Sequence, residues 1–427
     1  MDSLIVEGST RLRGKTRING SKNSALPIMA GALLASGPSI IDDVPNLSDI
    51  QHQMALLTEL GATVQRSPDG SLHIEVKDET NSHARYDLVR KMRASICVLG
   101  PLLAKRGEAR VSMPGGCAIG DRPVDIHLRG LAKLGAKIKL EGGDIVVTAQ
   151  RLRGTDIFLG GNFGSTVLGT ANVMSAATLA EGTTIIESAA CEPEVMDLAE
   201  YLNAMGARIS GHGTPRITIE GVNELKGCRH RVIFDRIEAG TFMVAAAITN
   251  GEIELENVRL RDLMATVDKL RAIGVIVEAS NGGCTVARSQ RLHATTITTQ
   301  PHPGFPTDLQ AQFMALLAIA DGNSIITEKI FPDRFLHVAE LARMGAKVHR
   351  EGATVIIEGT DQLVGAPVMA SDLRASAALV LAGLAAEGST TVNRVYHIDR
   401  GYERIEERLN RLGARIQRVD QRELENA

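Results

Sequence analysis

The sequence has no tryptophan, and aromatic residues make up only 3% of its 427 residues. A hydrophobic core must therefore be built from Ala, Leu, Ile and Val, and the aromatic platforms that stack nucleic-acid bases are not expected. The formal net charge is only −3, so no surface of one sign points to nucleic acid or to a membrane. No apolar run reaches 18 residues, so no membrane span is expected. The first residues lack the basic start and long apolar run of a signal peptide.

Cysteine is also scarce, with five residues that lie far apart: Cys97, Cys117, Cys191, Cys228 and Cys284. Their odd number and wide spacing fit neither a disulfide framework nor a CxxC metal site. The eleven histidines show no HxxxH or HExxH spacing. We therefore expect no metal and no cofactor, and a reducing, cytoplasmic compartment.

Two patterns repeat six times along the chain, which is long enough for two domains. The first is a helix end that reads Leu-Gly-Ala or a close variant, followed by a β-branched strand start. Its glycines lie 68 to 74 residues apart, at Gly61, Gly135, Gly206, Gly274, Gly345 and Gly413. The second is an Ala/Leu-rich helix that ends in glycine before a strand, at Gly37, Gly107, Gly182, Gly251, Gly322 and Gly388. We expect the glycines at the helix ends to take the left-handed cap conformation.

The repeats predict an α/β fold with six units of the βαβαββ type, three in each of two domains. One helix of each unit is apolar on all sides, as in residues 375–386, and such a helix is buried. The result is an inside-out α/β barrel, with helices inside and sheets outside. We place the first domain at residues 22–229 and the second at 1–21 plus 230–427. The second is discontinuous because strand-like residues 4–7 are expected to close against the last unit.

A loop at residues 113–123 combines flexibility with reactive chemistry. It contains three glycines and two prolines, which exclude a regular helix or strand. Cys117 lies in it, five residues before Arg122, and a thiol near a fixed cation ionises more readily. From the loop alone, a surface turn with an incidental cysteine is an equally good interpretation.

Seven motifs spread along nearly the whole chain point to one family. They are residues 19–27 (NGSKNSALP), 92–95 (MRAS), 114–123 (PGGCAIGDRP), 303–308 (PGFPTD), 333–335 (DRF), 371–374 (SDLR) and 397–402 (HIDRGY). Together they resemble the enolpyruvyl transferase family, and within it the enzymes that act on UDP-N-acetylglucosamine. The resemblance implies transfer of the enolpyruvyl group of phosphoenolpyruvate to the sugar 3-hydroxyl with release of phosphate, the first committed step of peptidoglycan synthesis. It also implies an active site in the cleft between the domains.

Phosphoenolpyruvate carries a phosphate and a carboxylate, and guanidinium groups bind both well. The resemblance implies that one set of residues surrounds this substrate. Lys22 and Arg122 belong to the first domain and the other cations to the second. The set is Lys22, Asn23, Arg122, Arg334, Arg374 and Arg400.

The reaction needs an acid near C3 of the enol and a base near the sugar hydroxyl. The resemblance makes Cys117 the proton donor, which can also bond covalently to phosphoenolpyruvate. It makes Asp308 the general base, with an N-cap of the helix predicted at residues 309–320 as the alternative. Asp372 either assists proton movement or only orients Arg374. Lys22, Arg122 and Arg400 complete the catalytic set.

The resemblance also assigns the sugar nucleotide to one set of residues. For Arg93 the alternative is a surface charge at a helix end. Residues 161–170 (GNFGSTVLGT) depart from the usual family spacing, which leaves the diphosphate contacts there least defined. The set is Asn23, Arg93, Arg122, Pro123, Val124, Asp125, Ile126, Ser165, Thr166, Asp308 and Ile330.

Three other functions stay open from the sequence. A related transferase of the same fold makes 5-enolpyruvylshikimate 3-phosphate, but that family lacks the PGGC loop. A diverged paralogue would act on another nucleotide sugar, which the altered residues 164–170 favour. A non-catalytic sensor of UDP-sugars is the third, although Cys117 and Asp308 are both present. No obligate protein partner is expected.

We expect fosfomycin to alkylate Cys117, as it does in cysteine-bearing members of the family. The modified protein should gain the mass of one inhibitor molecule on the peptide that contains Cys117. A Cys117→Asp variant should be insensitive, since it lacks the thiolate nucleophile. Equal sensitivity of the variant would contradict the assignment.

Overall fold

The computed structural model describes residues 2–113, 124–288 and 290–420. Within this part, the chain forms two compact units. Unit A comprises residues 2–19 and the described residues from 234 to 420. Unit B comprises the described residues from 20 to 233. Each unit has its own continuous hydrophobic core, dominated by Ala, Leu, Ile and Val.

The described strands form six four-stranded sheets, three in each unit, together with two short two-stranded pairs. The sheets of unit A run, in hydrogen-bonded order, Pro367–Met369, Ser389–Asn393, Asp2–Glu7, Arg415–Asp420; Arg13–Arg17, Glu252–Glu256, Gly283–Arg288, Val275–Ser280; and Thr296–Thr298, Asn323–Thr327, Thr354–Glu358, Lys347–Glu351. Those of unit B run Arg229–Arg231, Ser39–Asp42, Leu72–Val76, Ala62–Arg66; His83–Ala84, Glu108–Ser112, Asp144–Thr148, Lys137–Glu141; and Asp156–Phe158, Thr183–Glu187, Arg216–Glu220, Arg208–Ser210. The short pairs are Gly160–Gly161 with Gly164–Ser165, and Ala35–Ser36 with Leu225–Lys226.

Each sheet has the same internal pattern. The first two strands are parallel, and the remaining neighbours are antiparallel. A parallel pair needs a crossover connection, which an interior helix supplies, whereas an antiparallel pair can be joined by a tight turn. Alternate side chains along the strands are buried, as in Glu252–Glu256, so each sheet has one face toward the core. The expected α/β class with six βαβαββ-type units is confirmed.

The helices fall into an interior set and an outer set, named here in chain order. They are α1 (Lys22–Gly31), α2 (Ser48–Glu59), α3 (Tyr86–Val89), α4 (Leu99–Arg106), α5 (Asp125–Lys133), α6 (Val167–Ala177), α7 (Pro193–Ala204), α8 (Arg236–Ile248), α9 (Met264–Ile273), α10 (Gln310–Leu317), α11 (His337–Arg343), α12 (Leu373–Ala385) and α13 (Ile405–Arg411). Short 3₁₀ turns span Ala32–Leu34, Arg93–Val98, Leu260–Leu263, Thr307–Leu309 and Val395–Arg400.

The interior helices are the ones that the sequence shows as apolar on all sides. Every residue of α8 and of α10 is buried, and in α12 only Leu373 and Ala385 are partly exposed. Small residues allow this dense packing, because a helix rich in Ala and Gly lets its neighbours approach closely. The helix expected at residues 309–320 is shorter than predicted. Its first residues form a 3₁₀ turn, and the α-helix ends at Leu317.

Strands from distant parts of the chain complete three of the sheets. Asp2–Glu7 lies between Ser389–Asn393 and Arg415–Asp420 and is antiparallel to both. The expected closure of this N-terminal strand against the last repeat is therefore confirmed. Arg13–Arg17 similarly adds an edge to a sheet of unit A, while Arg229–Arg231 does so in unit B.

The repeated glycines take the left-handed backbone conformation at the helix ends, as expected, with one exception. All six glycines of the first pattern have φ between 87° and 108°. In the second pattern, Asn250 takes the positive φ in place of Gly251. A Cβ atom on Gly251 would lie 2.3 Å from the carbonyl oxygen of Leu12, so glycine is required there for close approach and not for its φ angle.

Among the described residues, no helix combines the length and the hydropathy that crossing a membrane requires.

A close approach of α4 and α6 in unit B provides a test of the packing. A Cβ atom on Gly100 of α4 would lie 2.1 Å from the backbone oxygen of Asn172 in α6. Gly100→Ala should therefore lower the free energy of unfolding by about 1–3 kcal/mol through overpacking, measured by urea denaturation. Gly31→Ala in α1 is the matched control, because its Cβ would meet no backbone atom and only side chains, those of Tyr201 at 3.3 Å, Leu198 at 3.6 Å and Leu202 at 3.7 Å. Equal losses in both variants would contradict this account.

Candidate active site

Several of the site residues predicted from the sequence lie at the N-terminal ends of interior helices. In unit A, Asp308 lies in the turn before α10, and Asp372 and Arg374 begin α12. Gln312 of α10 donates a hydrogen bond to Thr241 of α8, and Nε of Arg374 in α12 lies 3.5 Å from Oδ2 of Asp308, so the three helices meet near the starts of α10 and α12. Helix N-termini carry partial positive charge and unpaired N–H groups, and this end of the unit is therefore suited to an anion.

Asp308 and Arg334 form the shortest ion pair of this cluster. Nη1 of Arg334 donates to Oδ1 of Asp308 at 2.7 Å and to Oγ1 of Thr307 at 3.1 Å. Burial alone would lower the pKa of Arg334, but Asp308 and Asp372 outweigh it and raise that pKa. The N-cap position of this turn belongs to Pro306 and not to Asp308, whose carboxylate accepts from Arg334. The alternative of a simple N-cap at Asp308 is therefore wrong.

Arg374 is the most unusual charged group of the cluster. Its side chain is only 1% exposed, and its three guanidinium nitrogens make no well-aligned hydrogen bond among the described residues, with the Tyr402 hydroxyl as a weak partner. Nε lies 3.5 Å from Oδ2 of Asp308, and the guanidinium carbon lies 5.2 Å from the centre of the Tyr402 ring. A buried cation with unused donors carries a desolvation cost. A phosphate or carboxylate ligand would supply the missing acceptors.

Asp372 has a capping role that can be read directly from its contacts. Its Oδ1 accepts from the backbone N–H groups of Arg374 and Ala375, at 2.8 and 3.1 Å. The same oxygen lies 3.8 Å from Nη2 of Arg334. Asp372 therefore fixes the start of α12 and the position of Arg374. Of the two predicted roles, orientation of Arg374 is the one that these contacts support.

The charge of Asp372 acts on two histidines, His337 and His397. His337 is only 1% exposed, and burial lowers its pKa to about 4, with Asp372 and Arg334 as opposing charges nearby. Burial and Arg400 lower the pKa of His397, while Asp372 opposes the shift. Arg400 is the last residue of the 3₁₀ turn Val395–Arg400, which also contains His397. Arg400 and Asp372 therefore both influence the pKa of His397. Neutral imidazoles in this region add no further positive charge.

Sequence reasoning missed a buried polar network behind these charges. The hydroxyls of Tyr402 and Thr241 lie 2.9 Å apart, and Nε2 of Gln312 donates to Thr241 at 3.1 Å and to the Asp308 carbonyl at 3.1 Å. Tyr402 then lies against Arg374. Threonine and glutamine inside otherwise apolar interior helices were the available indication, because buried polar groups require partners.

In unit B, the predicted cation Lys22 is the first residue of α1 and is buried. Its Nζ lies 3.0 Å from Oδ2 of Asp49 in α2, a pairing that the sequence does not reveal. Asn23 follows in the same first turn and is half-buried. Because Lys22 is itself the first residue of an interior helix, its charge adds to the positive potential of the helix start, which favours an anion.

A second missed group lies one residue further along α1. Ser24 donates to Asp197 of α7, whose carboxylate also accepts from the backbone N–H of Ile233 at 3.1 Å. Nε2 of His230 lies 2.9 Å from the other oxygen of Asp197. Ser24 and His230 thus each contact the Asp197 carboxylate and do not contact each other through a hydrogen bond. The cluster fixes α1 in place and is not a serine–histidine nucleophile pair.

The residues expected to bind the sugar nucleotide occupy two neighbouring segments of unit B. Val124 precedes α5, and Asp125 and Ile126 are its first residues. Ser165 ends a short hairpin, and Thr166 is the N-cap of α6, where its hydroxyl accepts from the N–H of Gly169 at 3.2 Å. A Cβ atom on Gly161 in the same hairpin would lie 2.6 Å from Cδ1 of Ile126. The divergent hairpin and the start of α5 are therefore in contact.

The remaining predicted residues are placed as follows. Arg93 begins the 3₁₀ turn Arg93–Val98 that leads into α4, and it is half-buried, which fits both the predicted binding role and the alternative of a surface charge at a helix end. Ile330 lies in the turn after Asn323–Thr327 in unit A. Cys117, Arg122 and Pro123 lie outside the described residues. Within residues 2–113, 124–288 and 290–420, no group of three His, Cys, Asp or Glu side chains is arranged to hold a metal ion.

Comparison with known proteins identifies the family. A family model described as EPSP synthase (3-phosphoshikimate 1-carboxyvinyltransferase) matches residues 6–409. The chain belongs to this family of carboxyvinyl (enolpyruvyl) transferases. It is 56% identical to the UDP-N-acetylglucosamine 1-carboxyvinyltransferase of Methylacidiphilum infernorum, over 98% of this chain and 99% of the relative. It is 54% identical to the protein of the same name from Enterobacter cloacae, again over 98% and 99%.

Solved structures agree on the fold. The enolpyruvyl transferase NikO from Streptomyces tendae has a TM-score of 0.89 and 24% identity, over 98% of this chain and 99% of that one. An EPSP synthase from Acinetobacter baumannii has a TM-score of 0.77 and 20% identity, over 98% and 100%. At these identities the similarity shows the shared fold alone.

His337 predicts a measurable dependence of stability on pH. Its pKa of about 4 in the fold lies below the ordinary value of about 6.5 in the unfolded chain. Only the unfolded chain gains the proton as the pH falls from 6.5 toward 4. The free energy of unfolding should therefore decrease in this window, by at most about 1.4 kcal/mol per pH unit for this group.

Urea denaturation at pH 7 and pH 5 measures the effect. His337→Gln should lose less stability on acidification than the unmodified protein does. The control is His349→Gln, which replaces an exposed histidine of the strand Lys347–Glu351. If His337→Gln loses as much stability as the unmodified protein, the assignment of this group is wrong.

Proposed function

We propose that this protein transfers the enolpyruvyl group of phosphoenolpyruvate to the 3-hydroxyl of UDP-N-acetylglucosamine and releases phosphate. The observation that carries the proposal is the buried guanidinium of Arg374, whose unused donors lie beside Arg334 and Asp308. Two guanidinium groups provide the bidentate donors that a phosphate or carboxylate accepts. The adjacent carboxylate provides a base for a hydroxyl. The names of the full-length relatives indicate UDP-N-acetylglucosamine as the acceptor.

The reaction proceeds by addition and then elimination. In the addition, the sugar oxygen forms a bond to C2 of phosphoenolpyruvate, its proton passes to a base, and C3 gains a proton from an acid. In the elimination, C3 loses a proton and the bond from C2 to the phosphate oxygen breaks, which leaves the enolpyruvyl ether and phosphate. Asp308 is the proposed base, since its carboxylate is partly exposed, at 27%, and has two guanidinium neighbours.

The other assignments follow the same scheme. Arg334, Arg374 and Arg400 are the proposed cations of unit A that bind phosphoenolpyruvate, and Lys22 is the described cation of unit B. Cys117 remains the proposed acid on the basis of the sequence motif. That the cations of both units serve one substrate molecule stays a prediction from the sequence.

The sugar nucleotide is assigned to Arg93, Asn23 and the contacting segments at α5 and at the hairpin before α6. The N–H groups that start α6, with Thr166 as their cap, suit a diphosphate. We propose that this segment accommodates the diphosphate despite its altered sequence. The reaction places the protein in peptidoglycan synthesis, and its few, scattered cysteines suit a reducing cytoplasm.

One experiment tests the function directly. Phosphate release from phosphoenolpyruvate should depend on UDP-N-acetylglucosamine and should not occur with shikimate 3-phosphate as the acceptor. The product should contain the enolpyruvyl ether, detected by mass spectrometry. Binding of UDP-N-acetylglucosamine without turnover would support a sensor and overturn the proposal, and turnover only with another acceptor would support a paralogue.

Variants of Arg374 test the observation that carries the proposal. Arg374→Gln removes a buried cation at the predicted phosphoenolpyruvate site, so kcat/KM for phosphoenolpyruvate should fall at least about a hundredfold, in line with loss of a charge-assisted contact. Arg350→Gln is the control, because Arg350 is an exposed arginine that pairs with exposed Asp333. Equal kinetics for the two variants would contradict the assignment.

A further inference from the structure

Glu328 is a fully buried carboxylate that the proposed reaction does not use. It follows the strand Asn323–Thr327 in unit A and is 0% exposed. It accepts four hydrogen bonds, divided between its two oxygens. Burial of a carboxylate is costly unless such contacts compensate for the lost water. The four donors show which parts of the structure Glu328 holds in place.

One oxygen of Glu328 organises the turn that contains Ile330. Oε1 accepts from the backbone N–H groups of Ile330 and Phe331, at 2.8 and 3.0 Å, and from the Thr299 hydroxyl at 2.7 Å. The Thr299 hydroxyl also accepts from the N–H of Lys329. These contacts define the turn. If Glu328 had only a structural role, these contacts would be sufficient for it.

The other oxygen is directed toward the candidate base. Oε2 accepts from the Thr307 hydroxyl at 2.9 Å. Because the Thr307 hydroxyl donates its hydrogen bond to Glu328, its lone pair faces Arg334. Nη1 of Arg334 donates a hydrogen bond to this hydroxyl oxygen at 3.1 Å. The same nitrogen donates to Oδ1 of Asp308 at 2.7 Å. A continuous chain therefore runs from Glu328 through Thr307 and Arg334 to Asp308.

We propose that Glu328 is a positioning residue for the base. It fixes the direction of the Thr307 hydroxyl and thereby the orientation of Arg334 against Asp308. It also supplies negative charge near Arg334, which moderates the pull of that guanidinium on the Asp308 carboxylate. The role in catalysis rests on the proposed function, whereas the contacts themselves do not.

Two threonines provide a matched pair of variants for the test. Thr307→Val and Thr299→Val each remove one hydroxyl from the same carboxylate and keep the β-branched shape. Only Thr307 connects Glu328 to Arg334. We expect kcat to fall about tenfold in Thr307→Val, the effect of one lost hydrogen bond of about 1.4 kcal/mol. In Thr299→Val kcat should stay within about twofold, with a similar loss of thermal stability in both variants.

Glu328→Gln tests the contribution of charge. The amide keeps an acceptor for the turn but removes the negative charge beside Arg334. The unmoderated guanidinium then favours the ionised form of the base, so the acidic limb of the profile of kcat against pH should move to lower pH. KM for UDP-N-acetylglucosamine should change less than kcat.

The outcomes separate this proposal from the proposed function. The unmodified protein is assayed first, and absence of turnover with UDP-N-acetylglucosamine and phosphoenolpyruvate overturns the function itself. If the unmodified protein is active, equal kcat in the two threonine variants overturns the positioning role. An unshifted pH profile in Glu328→Gln overturns the role of its charge. The expected differences between the variants support both roles.

Discussion

Burial of cations at the ends of apolar helices is the constraint on which this structure depends. Arg374 is only 1% exposed at the start of α12, and Lys22 is 6% exposed at the start of α1. Removing a charge from water costs several kcal/mol unless opposite charges and hydrogen bonds compensate. Asp49 compensates Lys22 directly. Arg374 has carboxylates nearby but unused donors, and this incomplete compensation is what makes the cluster a candidate for binding an anion.

The six sequence repeats explain why such charges can be held there. Each repeat supplies an interior helix of small residues, and the glycines and alanines let these helices pack with little space between them. The described charged residues Lys22 and Arg374 lie in the first turns of these helices, whereas Thr241 and Asn172, further along α8 and α6, are neutral and hydrogen-bonded. Charged side chains at helix starts are therefore brought together by the packing of apolar surfaces, and the helix N-termini add their own positive potential.

A second layer of polar groups gives the cluster its orientation. Asp372 caps α12 and fixes Arg374, the hydroxyls of Tyr402 and Thr241 with Gln312 lie behind it, and Glu328 orients Thr307. Such networks stabilise one arrangement only when all of their members are satisfied. Among the described residues, the donors of Arg374 and Oε1 of Gln312 make no well-aligned hydrogen bond in this layer. The structure thus combines an oriented polar support with a buried guanidinium group that can bind an anion.

The sequence by itself determined the repeated architecture and the identity of the charged residues. Apolar periodicity and glycine spacing follow from local physics, so six units, buried helices and left-handed caps could be predicted from them. Only the tertiary structure decided the partners, because residues such as Asp49 and Lys22, or Glu328 and Thr307, are joined by packing of separate elements. It also decided against a helix cap at Asp308, whose carboxylate accepts a hydrogen bond from Arg334. Which buried donors stay unpaired depends on the whole fold, and no local pattern encodes it.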